Sequence, residues 1–296
     1  MRKVRIATAS FLIEDTPHTV EQNFMQCEQW IMEASEQEAD ILCLPETVLT
    51  NAVPDGHLQP EEYPGKWTEL FKAAAKEHQI HLIAPYFVRT PFGTFNQATV
   101  IDDAGEIKGF YQKLQPTGWE AQFVTPGNEL PIIALSFGKI AVMICMDIYF
   151  PEIARIYAMK GAEILFWPTT THGPSQSGLE AQLRSRAIDN SIPIVESNLS
   201  GDPPYAPYAG RFYPGNARIL DHNGDILAQT GRRAGLAVAD IDLDEPRRTH
   251  GVFLINDPDN TRQDLEALTR MDLYAREYEA LAKTQSRFYD SLTKTL

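Results

Sequence analysis

Two stretches of this chain are spelled alike and recur in the same order about 120 residues apart. ADILCLPE (39–46) answers GAEILFWP (161–168), and NQATVIDDAGEI (96–107) answers NARILDHNGDI (216–226). The elements around each stretch repeat as well. The first half reads as a strand over Val4–Ala9, a helix over Glu21–Glu38, a strand over Ile41–Pro45, a helix over Gly65–His78 and a strand over Ile80–Phe87, then two alternating strands about the turn DDAGE. The second half reads as a strand over Ile140–Cys145, helices after Pro151 and Gly178, strands over Ile164–Trp167 and Ile192–Glu196, and a hairpin turning at His222-Asn223-Gly224. One domain built from two related halves is therefore expected. Helices alternating with short buried strands imply mixed sheets covered on one face by helices, and two such sheets can stack as a four-layer α-β-β-α sandwich of the α/β class.

Beyond Asp242 the pattern turns helical. Asp257-Pro258-Asp259 is a start signal, and Leu268, Met271, Tyr274, Tyr278, Leu281 and Phe288 fall roughly on one stripe, with Leu273 off it. The boundaries expected are a main domain over 1–245 and a C-terminal extension over 246–296. An apolar stripe with no later element to cover it favours packing against a second copy of the chain, hence a homodimer or larger, with a solvated terminal helix packed on its own domain as the alternative.

At 296 residues, 43% of them apolar, the chain can bury a large core. A net charge of −14 argues against nucleic acid or an anionic membrane as partner, leaving a small molecule as the expected ligand. No stretch approaches the roughly 20 apolar residues of a spanning helix. Three cysteines without framework spacing point to reduced thiols and a cytoplasmic setting. Neither HExxH, CxxC, a P-loop nor GxGxxG occurs, so no metal or other cofactor is expected.

Three strand ends carry reactive groups. Glu46 closes the apolar run ILCLPE, Lys113 follows the alternating GEIKGFYQKL, and Cys145 lies in IAVMICMDIYFPE, where Pro151-Glu152 suits the first turn of a helix. A carboxylate, an ammonium and a thiol suffice to break an amide: the first takes the thiol proton, the second neutralises an oxyanion, and the third carries the acyl group. Cys27, within a helix, and Cys43, within a strand, read as core.

The words LPET, YQKLQPTGWE and ICMDIYFPE, with RSRAIDN and VESN downstream, resemble the nitrilase superfamily of carbon-nitrogen hydrolases over residues 4 to 242. Glu46, Lys113 and Cys145 stand in the family's order, 67 and then 32 residues apart. The resemblance implies the same sandwich, association through comparable tails, and Glu46, Lys113 and Cys145 as the catalytic set. It also implies a supporting Glu120 that positions the lysine and helps activate water, with Arg186 and Asn198 as scaffold. The backbone N–H of Met146 is expected to join Lys113 as an oxyanion donor. Nitrile-hydrolysing members usually carry Trp-Glu after the cysteine, whereas this chain has Met146-Asp147; Gln115 replaces a frequent histidine and Ala217 a small hydroxyl residue. An amidase or N-carbamoyl amidohydrolase is the resulting expectation, with nitrile hydrolysis and a silent scaffold as alternatives. The loop NLSGDPPYAPYAGRFYPGN is expected to cover the pocket, with Tyr149, His172 and Arg211 in its wall.

Overall fold

The computed structural model describes residues 2–173, 177–205, 210–245 and 267–283. β1 (Lys3–Leu12) leads to α1 (Val20–Glu36), whose start is fixed by a capping box. The Thr19 hydroxyl accepts from the Gln22 N–H, and the Gln22 side chain accepts from the Thr19 N–H. β2 (Ile41–Cys43), β3 (Glu61–Glu62), α2 (Lys66–His78), β4 (His81–Thr90), β5 (Gly93–Ile101) and β6 (Ile107–Gln112) complete the first half. The second half holds β7 (Ile133–Ala134), β8 (Lys139–Val142), α3 (Pro151–Met159), β9 (Ile164–Pro168), α4 (Ser177–Asn190), β10 (Ile194–Gly201), β11 (Tyr213–Pro214), β12 (Arg218–Leu220), β13 (Ile226–Gln229) and β14 (Gly235–Asp242).

β1, β2 and β4 pair in parallel, and β5 and β6 continue from β4 antiparallel. β8, β9 and β10 likewise pair in parallel, with β12 and β13 continuing antiparallel. The two stretches that echo in sequence thus occupy matching places: β2 against β9, and the β5–β6 hairpin against β12–β13. A single hydrogen-bonded path links the two sets, because the end of β1 runs parallel to β10 at Ser10↔Asn198, Phe11↔Leu199 and Leu12↔Ser200. β14, which sequence patterning did not single out, runs antiparallel along β1 from Lys3↔Asp242 to Ser10↔Gly235.

Alternation along the strands divides the core in two. Val4 and Ile6 of β1, Ile41 and Cys43 of β2, and Ile83 of β4 join Ile140, Val142 and Phe166 in one cluster. Their neighbours Ala7, Ala9, Leu42, Leu44, Leu82 and Ala84 pack instead with Phe24, Cys27 and Ile31 of α1 and Phe71 of α2. Both faces of these strands are buried, which is why they read as nearly continuous apolar runs. The assembly is a sheet-dominated α/β fold.

One expectation needs correction. The strand leading to the thiol stops at Val142, and Cys145 begins a short 3₁₀ helix, Cys145–Tyr149, because its φ of +46° cannot continue a strand. In the C-terminal extension, α5 (Met271–Ala282) buries none of its residues. Leu268, Met271, Tyr274, Tyr278 and Leu281 are each about half exposed, and Leu273, which falls off their stripe, is the better covered. Tyr278 donates to Glu152 of α3 through its hydroxyl. The start signal at 257–259 and Phe288 lie outside the described residues. No described helix is long and apolar enough to cross a membrane.

Candidate active site

Glu46 follows β2 on a loop that doubles back at once. Its carbonyl accepts from Asn51 Nδ2 at 2.8 Å, and the next residue, Thr47, has a φ of +49°, a strained value for a β-branched side chain. The loop buries the carboxylate to 2% exposure, so its oxygens need partners. Oε1 accepts from Lys113 Nζ at 2.7 Å and Asn96 Nδ2 at 2.8 Å; Oε2 accepts from the Thr170 backbone N–H at 3.0 Å and its hydroxyl at 2.7 Å.

Lys113 sits one residue past β6, only 1% exposed, its N–H bonded to the Asn96 carbonyl at 2.9 Å. A buried ammonium demands anions, and it has two: Glu46 and, at 2.6 Å, Oε2 of Glu120. Burial alone pulls the Lys113 ammonium down, but Glu46, Cys145 and Glu120 outweigh it and hold its pKa well above the ordinary value. Glu120, in the 3₁₀ helix Glu120–Gln122, also accepts from the Thr117 N–H at 2.9 Å and from Asn96 Nδ2 at 2.9 Å. Burial pushes its carboxyl up, yet Lys113 and these donors leave it below the usual glutamate range. Lys113 is thus charged and held between two carboxylates.

Cys145 keeps a partly exposed surface but is closely surrounded. Burial, then the Glu46 charge, pushes its thiol up to about 12, against the opposing pull of Lys113 and of a hydrogen bond from Thr169. Glu46, Lys113 and Cys145 therefore share one electrostatic neighbourhood, as the sequence suggests. A thiol this weakly acidic is neutral near pH 7 and needs a base at the moment of reaction. The Cys145 carbonyl accepts from Trp167 Nε1 at 2.9 Å, and the N–H of Met146 lies in the first turn of the 3₁₀ helix, where amides lack intrahelical partners. Arg186 of α4 donates twice to the Ile148 carbonyl, at 3.2 and 2.9 Å, holding the far end of that turn. Asn198 reaches Glu196 at 3.4 Å, within a buried network around Arg218. Cys27 and Cys43 are wholly buried, as expected of core thiols.

The wall residues are looser. Tyr149 ends the 3₁₀ helix with 57% exposure. His172 lies two residues past Thr170, edge-on to Tyr213 with ring centres 5.8 Å apart; burial and then the Arg211 charge hold it below the usual histidine range. Arg211 is exposed and has no ion-pair partner among the described residues. Residues 206–209 of the long loop lie outside the described residues.

Several participants escaped sequence reasoning. Asn96 bridges Glu46 and Glu120 from mid-strand in β5, Thr170 donates to Glu46 just past the end of β9 while its neighbour Thr169 draws the Cys145 thiol down, and Asp147 is buried beneath the turn that carries Cys145. The echo of CLPE in FWPTT marked where to look for the threonines. Among the described residues, no group of three or more His, Cys, Asp or Glu side chains could hold a metal ion.

Known proteins resemble this chain in sequence or in fold. A Bacillus subtilis 2-oxoglutaramate amidase is 30% identical over 248 residues, 80% of this chain and 90% of its own. A probable nitrilase of Schizosaccharomyces pombe is 30% identical over 154 residues, 52% of this chain, and this chain spans 55% of it. Among solved structures, a variant of the amidase from Nesterenkonia sp. AN1, in which acrylamide has added to the active-site cysteine, superposes with a TM-score of 0.77. It is 22% identical and shares the fold, with 92% of this chain and 99% of that one covered. The profile of the carbon-nitrogen hydrolase family matches residues 5–250, and the chain belongs to that family.

Proposed function

We propose that the chain is a cysteine amidohydrolase cleaving the C–N bond of a small linear amide or N-carbamoyl compound through a thioester. The observation that carries this reading is the buried Lys113 ammonium, held at 2.7 and 2.6 Å by two carboxylates and electrostatically coupled to the Cys145 thiol. Glu46 takes the thiol proton and the thiolate attacks the carbonyl carbon. Lys113 and the Met146 N–H receive the oxyanion, and protonated Glu46 returns its proton to the departing ammonia or amine. Water, activated by Glu46 with Glu120 in support, then releases the acid. Tyr149, His172 and Arg211 line the entrance, and no cofactor is required. The amidases among its relatives and Met146-Asp147 after the cysteine favour an amide over a nitrile.

The same reading extends to architecture. One core cluster shared by β1, β2 and β4 with β8 and β9, and another beneath α1 and α2, support two sets of strands stacked face to face with helices outside. The matching order of pairings supports two related halves within a 1–245 domain. The exposed apolar stripe of α5, in a 246–296 extension, is proposed as a homo-oligomer contact in a cytoplasmic enzyme. Deleting everything after Asp257 should lower the assembly mass in light scattering, and an unchanged mass would remove that role.

Covalency is the central test. Wild type mixed with an amide that it turns over, quenched in acid and weighed intact, should carry an acyl mass on the peptide containing Cys145. Cys145→Ser should be almost inactive, since an alkoxide forms far less readily than a thiolate. Robust turnover by the serine variant, with no adduct from any consumed substrate, overturns the reading.

A further inference from the structure

Cys145 is held in a backbone conformation that side-chain-bearing residues seldom adopt, φ +46°, and such strain persists only where the surroundings over-determine it. Two side chains hold it, Trp167 at the Cys145 carbonyl and Asp147 at the turn itself. Asp147 is completely buried two residues after the thiol. Its Oδ2 accepts from the backbone N–H of Ile144 at 2.8 Å and from the Tyr111 hydroxyl at 2.7 Å, and its Oδ1 accepts from the backbone N–H of Gln115 at 3.0 Å. The Asp147 N–H closes the turn by donating to the Ile144 carbonyl at 3.0 Å. Ile144 immediately precedes the nucleophile. Tyr111 and Gln115 stand two residues before and two after Lys113.

We propose that Asp147 is the positioning residue that sets the Cys145 thiol against the Lys113 ammonium, its carboxylate bridging the nucleophile turn to both flanks of the lysine. This rests on the reading of Cys145 as nucleophile. A carboxylate is a costly filler for such a place: burial pushes Asp147 up to about 6, against the bonds from Tyr111 and the two amides and the charge of Lys113. A neutral side chain would hold a purely structural turn more cheaply. What an ionised carboxylate adds is acceptor capacity in several directions at once, and here all three occupied directions lead to the backbone or side chains that frame the two reacting groups.

The test separates positioning from folding. In Asp147→Asn, one oxygen can still accept from Ile144 and Tyr111, but the amide nitrogen then faces the Gln115 N–H, donor against donor, and that link is cut. Tyr111→Phe cuts the other link and leaves the carboxylate in place. For an amide substrate, Asp147→Asn should lower kcat about 10²-fold with KM changed less than about threefold, the size of effect that a misplacement near 1 Å produces. Tyr111→Phe should lower kcat about tenfold. Both rates are taken per folded molecule, from the native fraction in thermal melts, and Cys145→Ala serves as control. Wild-type kcat per folded molecule in both variants beside a dead Cys145→Ala overturns the role of Asp147 and leaves the nucleophile intact. An active Cys145→Ala overturns the nucleophile reading itself. Where Asp147→Asn does not fold, Tyr111→Phe decides alone: a fall in kcat at constant KM supports positioning, and an unchanged kcat overturns it.

Discussion

The ends of β2 and β9 occupy matching places, CLPE against FWPT, and each leads from a buried parallel strand through a proline. One delivers a carboxylate, Glu46; the other delivers two hydroxyls, Thr170, which donates to it, and Thr169, which draws the Cys145 thiol down. Two strand ends thus meet with complementary chemistry, one supplying the carboxylate proposed as base and the other the donors that orient it. A buried carboxylate at one end alone would be left with an oxygen unsatisfied, at a cost of about 1–3 kcal/mol. The second end removes that cost and fixes which oxygen faces Lys113.

The difference can be broken most severely at the first end. Glu46→Gln keeps the shape but cannot take a proton, so turnover should fall by about 10³-fold or more. The same substitution should make Cys145 more reactive towards iodoacetamide at a fixed pH. The Glu46 charge is among the largest influences raising that thiol, and its removal lets Lys113 act unopposed from that side. Turnover and alkylation should therefore move in opposite directions. If both fall together, the Glu46 charge is not what holds the thiol up, and Glu46 serves alkylation as well as turnover.

How far the sequence alone could reach follows from the same two strand ends. Glu46, Lys113 and Cys145 are legible because each terminates an apolar or alternating run, a local signal. Thr170 is not, since its partner lies 124 residues away and nothing in TTTHG distinguishes one hydroxyl from the next. Asn96 is equally silent, a polar residue inside an otherwise ordinary strand whose partners are 50 and 24 residues distant. The strand leading to Cys145 ends three residues before the sequence pattern does, for a different reason. The apolar run continues through Met143 and Ile144, and the left-handed turn that stops the strand is imposed by Asp147 and Trp167 rather than by a glycine that could be seen in advance. In the extension, the spacing of apolar residues identified a helix, but which of its faces meets the body depends on Glu152, far off in sequence.

The mildest perturbation belongs at the second end, where Thr169→Val keeps the volume and removes the hydroxyl. Thr169 lowers the Cys145 thiol through a hydrogen bond, so its loss should push that thiol further above about 12. The wild-type thiol is then neutral throughout pH 7–10, and its alkylation should climb about tenfold per pH unit over that range without a plateau. The valine variant should give a parallel line displaced downward about fivefold, the value of a hydrogen bond worth about 1 kcal/mol. Its turnover should fall by a similar factor, because the same bond steadies the thiolate in the attack. Glu46→Gln displaces the line upward and Thr169→Val displaces it downward, so the pair of profiles tests whether the two strand ends act on the thiol with opposite sign. A Thr169→Val line lying on the wild-type line would show that the hydroxyl leaves the thiol untouched, and would assign the end of β9 to orienting Glu46 through Thr170 alone.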